Sequence, residues 1–211
     1  MKINEKEIND IIEKRLTEEE LIAELKKTEA DLFKDFDNAD SESAEIKDMR
    51  DTMGNELMNE AMKNSKEMIS NGINEMIERV KKVFKDAKVD DVNLISFMMA
   101  EATRAKKLYI HDMLKDSEDF SKRGELAMNM SIIFKVLSKM AENNIDIDKE
   151  IMTEFSDTMF ETSILLAERG SLFANLSIMS KLANETKKEL RKESKSNIEI
   201  IHDATKSKYK N

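Results

Sequence analysis

Apolar residues recur along this chain in steps of three and four, the spacing that stacks side chains on one face of an α-helix. Ile8, Ile11, Ile12 and Leu16 begin the pattern and predict a short first helix. Thr17-Glu18-Glu19-Glu20 then reads as a capping box, in which the Thr17 hydroxyl caps the Glu20 amide while the Glu20 carboxylate reaches back. The helix it opens carries Leu21, Leu25, Leu32, Phe33 and Phe36 on one side. The stretch from Asp37 to Ser43 is polar and short-chained, with side chains that compete for backbone hydrogen bonds, and it predicts a linker.

From Ala44 the pattern strengthens. Ile46, Met49, Met53, Leu57, Ala61, Met62, Ile69, Ile73, Met76, Val80 and Phe84 hold one phase. They predict a single helix over about 44–87, roughly 65 Å long at 1.5 Å per residue. Asn71-Gly72 is a turn signal inside that run, so a break at Gly72 is the alternative. Lys88-Val89-Asp90-Asp91 predicts a link ending in an Asp91 N-cap. Ile95, Met98, Met99, Ala102, Ala105, Tyr109 and Met113 mark the next helix, which Asp116-Ser117-Glu118-Asp119 interrupts. Another runs from about Ser121 through Leu126, Met130, Ile133, Phe134, Leu137, Met140 and Ala141 to Asn143-Asn144. Asp148 caps the last, whose stripe of Met152, Phe155, Met159, Ser163, Leu166, Phe173, Leu176, Met179 and Ala183 keeps phase past Gly170. Beyond Asn184 the pattern fades into a helical or flexible tail over 185–211. Arg123-Gly124-Glu125-Leu126 has an echo in Arg169-Gly170-Ser171-Leu172, read either as a degenerate helical-pair repeat or as chance likeness between amphipathic helices.

Composition sharpens this picture. The 211 residues include no proline and only four glycines, where about ten and about fifteen are usual. A chain that avoids both has little use for hairpins, bulges or Gly-rich loops. The expected fold is therefore all-α. Long antiparallel helices form a bundle or coiled-coil-like core at 44–184, with an acidic N-terminal helical arm at 1–36, a linker at 37–43 and a basic tail at 185–211. A helix of 65 Å outruns a compact bundle, which predicts that part of its stripe meets a second copy, in a homo-oligomer.

Charge is unevenly spread. Residues 1–60 hold nine Lys/Arg against nineteen Asp/Glu, whereas residues 181–211 hold nine against five. That asymmetry permits head-to-tail or antiparallel self-association and leaves the C-terminal end as the only polyanion contact. Lys187, Lys188, Arg191, Lys192 and Lys195 are its candidates. Interspersed glutamates fit a solvated helix face equally, so a nucleic-acid role is the alternative and not the favoured one. The longest apolar run, Ile95–Ala100 with Ser96 inside it, is far below the roughly 20 residues of a spanning helix. No apolar secretory segment follows Met1, and the expected location is the cytoplasm of a bacterium or an infected host cell. Richness in Lys, Asn, Ile and Met points to an AT-rich genome of low-GC bacterial or phage type.

Chemistry-bearing residues are few. Cysteine is absent, and the two histidines, His111 and His202, each sit in Ile-His-Asp. Glu199-x-x-His202 has the spacing of one half of a di-metal carboxylate site, but the residue three before His111 is Leu108, so no second half exists. Asn144-x-Asp146-x-Asp148 begins like a calcium loop and then has Lys149 and Phe155 where Gly and Glu are required. No Gly-rich phosphate loop or nucleophile elbow is present. The expectation is no catalytic residue, no metal and no cofactor.

Methionine is the one excess with functional content: of sixteen, Met49, Met53, Met58, Met62, Met68 and Met76 crowd one predicted helix. Flexible thioethers suit adaptable partner surfaces, and they also fill cores. Met58 and Met68 lie at the stripe's edge and are the candidate partner contacts, together with Leu21, Leu25, Phe33 and Phe36 of a detachable N-terminal arm. The functional expectation is a non-enzymatic interaction protein, an assembly factor, adaptor or inhibitor working through helix faces on a protein partner. An oligomeric DNA packaging or partition accessory is the alternative.

Overall fold

Thr17 opens the first helix through the capping box its sequence encodes. Its hydroxyl accepts from the Glu20 amide at 3.3 Å, and its own amide donates to the Glu20 carboxylate at 2.9 Å. Those bonds from the Thr17 backbone and side chain favour the ionised form and hold the Glu20 carboxyl below its ordinary range. The computed structural model describes residues 14–42, 54–115 and 119–208, and the side chains of all these except 39–42, 57–58 and 193–208. The helices are α1 (Glu18–Glu42), α2 (Asn55–Ala87), α3 (Leu94–Lys115), α4 (Phe120–Glu142) and α5 (Lys149–Lys208). Two short strands, β1 (Arg15–Leu16) and β2 (Val92–Asn93), pair antiparallel and tie the start of α1 to the start of α3. The fold is an all-α helical bundle, as the periodicity predicts.

Helix α4 is the centre of that bundle. Met130, Ser131, Ile133, Phe134, Val136, Leu137, Ser138, Met140 and Ala141 are all buried, so α4 is covered nearly all round. α1, α2, α3 and α5 each pack on it. The tightest pairing is with α5. Ser131 Oγ donates to the Ser163 carbonyl at 2.8 Å, Ser156 Oγ donates to the Ser138 carbonyl at 3.1 Å, and Gly124 meets Gly170. The residue numbers of these pairs share one constant sum, which is the mark of an antiparallel hairpin in fixed register. The echo of Arg123-Gly124 in Arg169-Gly170 is thus a crossing point where two glycines meet, and not a pair of stacked repeat units.

α1 lies along both α2 and α4. Ser70 donates to Glu29 at 2.6 Å and Lys66 pairs with Asp37 at 2.6 Å, while Lys139 pairs with Asp35 at 2.7 Å. Leu21, Leu25, Leu32 and Thr28 are buried beneath these polar contacts. This corrects the detachable arm: α1 is a wall of the core, because burying three leucines gains roughly 2 kcal/mol each and lifting it away forfeits that. The expected linker is also revised, since α1 continues through residues 37–42. Residue 43, the stretch 44–53 with Met49 and Met53, and the N-terminal Ile8, Ile11 and Ile12 lie outside the described residues. Leu16 ends up in β1 and not in a helix.

α2 runs unbroken past Gly72. A Cβ at that position would come within 2.9 Å of Ile132 Cγ2, so the glycine serves close approach of α2 to α4 and not a turn. The α2–α3 link departs from expectation as well. Asn93 is the cap of α3, its Oδ1 accepting from the Ser96 amide at 2.9 Å, while Asp91 pairs with Arg15 at 2.7 Å. Asp148 caps α5 as its position predicts, and Asp119, read from sequence only as the end of an interruption, caps α4.

Asn144 is 2% exposed, and its side chain is fully used. Its Oδ1 accepts from Lys14 Nζ at 2.6 Å, and its Nδ2 donates to Glu24 at 2.8 Å and to the Met140 carbonyl at 2.8 Å. It locks the α4–α5 turn to the start of α1, which is a structural use for a residue that superficially opens a calcium loop. Asn144→Ala is expected to cost about 2 kcal/mol by stranding those partners. A urea midpoint equal to that of the parent protein would contradict this.

Candidate protein-interaction groove

α3 carries apolar residues beyond its buried face. Leu94, Phe97, Met98, Glu101, Ala102 and Ala105 are buried in helical steps, while Leu108, Ile110 and Leu114 are exposed, Leu114 at 76%. α5 shows a matching departure, with Phe160, Ile164 and Leu165 exposed beside the buried Ser163 and Leu166. Both helices rest on α4, and between them lies a groove of about 520 Å³. Phe134, Ala102 and Leu166 form buried parts of its lining. Met99 and Ile110 line it from α3, and Met159, Thr162 and Leu165 from α5.

Charged groups in the groove are few and of one sign. Among the described residues Lys106 and Arg169 are its only charged lining residues, no carboxylate lines it, and Thr103, Thr158 and Thr162 add hydroxyls. The Tyr109 hydroxyl also belongs to the lining, and its oxygen is buried with no hydrogen-bond partner among the described residues. A buried hydroxyl without a partner costs on the order of 1–3 kcal/mol. The lining therefore combines apolar surface, two cations, three threonines and one unmet tyrosine hydroxyl.

Other charged clusters are structural or open. Glu101 is 5% exposed and is held by Arg79 Nε at 3.0 Å and by Arg104 Nη2 at 3.1 Å, with Glu75 on the far side of Arg79. Burial pulls the Arg79 guanidinium below its ordinary value, with Glu101 acting in the opposite sense. This cluster joins α2 to α3, and none of its residues lines the groove between α3 and α5. The row Glu150, Glu154, Asp157 and Glu161 belongs to α5 alone and is an open face. Among the described residues no group of three His, Cys, Asp or Glu side chains is placed to hold a metal ion. No described helix is long and apolar enough to cross a membrane.

The residues singled out from sequence are scattered over this fold. Leu21 and Leu25 sit in the core, which removes them from any partner surface. Phe33 and Phe36 are half-buried against the core, each with a cation over its ring: Lys66 at 5.7 Å and Lys135 at 4.7 Å. The Lys135 ammonium is pushed below its ordinary value, chiefly by burial. Met68 is half-buried on α2, and the side chain of Met58 lies outside the described residues. Lys187, Lys188, Arg191 and Lys192 are exposed on α5, as is His111 on α3, while the side chains of Lys195 and His202 lie outside the described residues. The groove residues Ile110 and Leu165 were missed. Each adjoins a residue of the predicted stripe, and that doubling of apolar positions was the available signal. No protein family, curated protein or solved structure matches this chain.

Proposed function

We propose that this protein is a non-enzymatic interaction module that receives an acidic amphipathic helix of a protein partner in the groove between α3 and α5. The carrying observation is the groove itself: apolar walls and, among the described residues, a lining whose only charges are Lys106 and Arg169. Amphipathic helices dock in such grooves through apolar anchors spaced three, four and seven apart. Met99, Ile110 and Leu165 would take the anchors, the two cations would face the partner's carboxylates, and the Tyr109 hydroxyl would gain its missing hydrogen bond. An adaptor, assembly factor or inhibitor works by this kind of contact.

The test uses fluorescent helical peptides with leucines at i, i+3, i+4 and i+7 and either glutamates or lysines elsewhere. The acidic peptide is expected to bind and the basic one not. Ile110→Glu and Arg169→Glu, both at exposed positions, are expected to weaken binding at least tenfold with helix content unchanged. Equal binding of both peptides, or binding untouched by the substitutions, would reject this reading.

A polyanion contact on α5 is the second reading, favoured by one observation. Lys181, Lys187, Lys188, Arg191 and Lys192 are all exposed on α5 and outnumber Glu185 and Glu189 over residues 181–192. Steeply salt-dependent DNA binding, lost on changing Lys188 and Lys192 to Glu, is what this reading requires.

A further inference from the structure

We propose that residues 4–13 of this chain fold as a helix into the groove between α3 and α5 and compete there with the partner's helix. This inference rests on the groove reading and adds a regulator to it, a segment of the same chemical class as the proposed partner.

The two strands fix where that segment leaves the bundle. Arg15 pairs with Asn93 and Leu16 with Val92, antiparallel. Stepping back from Leu16 to Lys14 therefore follows the direction in which β2 runs on into α3. The Lys14 carbonyl accepts from the Leu94 amide at 2.9 Å, and Lys14 Nζ donates to Asn144 Oδ1 at 2.6 Å. Lys14 is thus held at once by the first residue of α3 and by the turn from which α5 sets out, and these are the two helices that wall the groove. The first α3 residue in the lining is Met99, about 8 Å along the helix from Leu94. Residues 4–13 make about 15 Å of helix, and the wall from Met99 to Ile110 runs about 17 Å. The segment before Lys14 starts at the head of the groove and has the length to fill it.

Apolar spacing and charge fit as well. At 100° per residue Ile8, Ile11 and Ile12 share one face, Glu5 and Glu7 border it on its two sides, and Lys6, Asp10 and Glu13 point away. The groove presents Met99, Ile110 and Leu165 over the buried Phe134, with Lys106 on the α3 wall and Arg169 on the α5 wall. Both borders of the segment's apolar face are acidic and both walls are basic, so a carboxylate lies beside a cation on each side. A short tether holds the segment at an effective concentration on the order of millimolar, which favours it over a free helix of equal fit.

The chain has no tryptophan, so Ile11→Trp places a single one in the segment. Its emission is expected to be blue-shifted, as from an apolar site, and independent of protein concentration. Adding Ile110→Glu and Arg169→Glu to that chain is expected to move the emission to that of tryptophan in water. In a second experiment, full-length I8E/I11E/I12E is expected to bind the acidic helical peptide about tenfold more tightly than the parent, because self-occupancy scales the apparent affinity by the free fraction of the groove. Water-like emission from Ile11→Trp, or blue-shifted emission unmoved by the groove substitutions, would overturn the inference. Emission that changes with protein concentration would overturn it in favour of a segment from a second copy. Equal peptide binding by I8E/I11E/I12E and the parent would overturn the competition and leave the groove reading standing. Peptide binding by neither protein, with tryptophan emission still moved by the groove substitutions, would reject the partner reading and keep the segment in the groove.

Discussion

Glu101→Ala is expected to be the most damaging single substitution in this protein, lowering the unfolding free energy by about 3–5 kcal/mol. Glu101 is 5% exposed and accepts from the Arg79 Nε at 3.0 Å and from Arg104 Nη2 and Nε at 3.1 and 3.2 Å. Removing it leaves the Arg79 guanidinium, whose side chain is only 15% exposed, with Glu75 as its one remaining counter-charge. Arg79 already has a buried Nη2 without a partner among the described residues, so little slack exists to re-pair it. Arg104 is more open and can turn to water. A marginal domain holds about 5–15 kcal/mol in total, so the variant is expected to unfold at a much lower denaturant concentration with the same slope. The partner variant Arg79→Leu/Glu101→Leu is expected to recover most of the loss, because apolar side chains of similar bulk avoid stranding a charge. A loss under about 1 kcal/mol for Glu101→Ala would mean that water reaches both guanidinium groups and that the cluster is ordinary surface.

Gly124→Leu is expected to cost about 3 kcal/mol through overpacking of the α4–α5 crossing. Even a Cβ at this position would stand 3.2 Å from the Gly170 carbonyl oxygen and 3.3 Å from the Ala174 amide nitrogen. Both are backbone atoms of α5, and neither can move without shifting the helix. Gly170→Ala is a useful contrast. Its Cβ would meet Met128 Cγ and Sδ at 2.7 Å, and a thioether can swing aside, but it would also stand 3.2 Å from the Gly124 carbonyl oxygen. Alanine gains about 1 kcal/mol over glycine inside a helix and adds a single carbon, so Gly170→Ala is expected to cost less than Gly124→Leu. Thermal melts of the three proteins check the order. Equal stability of Gly124→Leu and the parent would show that the helices part readily at this point.

Those two glycines also show where linear reading stops. Arg123-Gly124 and Arg169-Gly170 look alike in sequence, and periodicity has no means of telling a repeat from a crossing. The answer lies in the antiparallel register that Ser131–Ser163 and Ser138–Ser156 share. Leu21 and Leu25 present the same difficulty in another form. A clean apolar stripe on a short helix predicts burial, but burial against this chain and burial against a partner leave one and the same pattern.

Local rules settle a good part of this protein. The absence of proline, the scarcity of glycine and the 3.6-residue period account for the five helices of the described residues, because backbone preference and face spacing act within a few residues. Thr17, Asp119 and Asp148 mark their helix starts for the same reason, each cap bonding an amide two or three residues on. Packing settled the rest. That α4 lies at the centre, that α1 closes the core, that Asp91 meets Arg15 and leaves the cap to Asn93, and that α3 and α5 stand apart over Phe134 are all consequences of contacts between residues far apart in the chain. An apolar stripe states that a face must be covered, and only the three-dimensional arrangement states by what. On α5 the arrangement covers one face with α4 and leaves Leu165, Leu172, Met179 and Leu190 exposed.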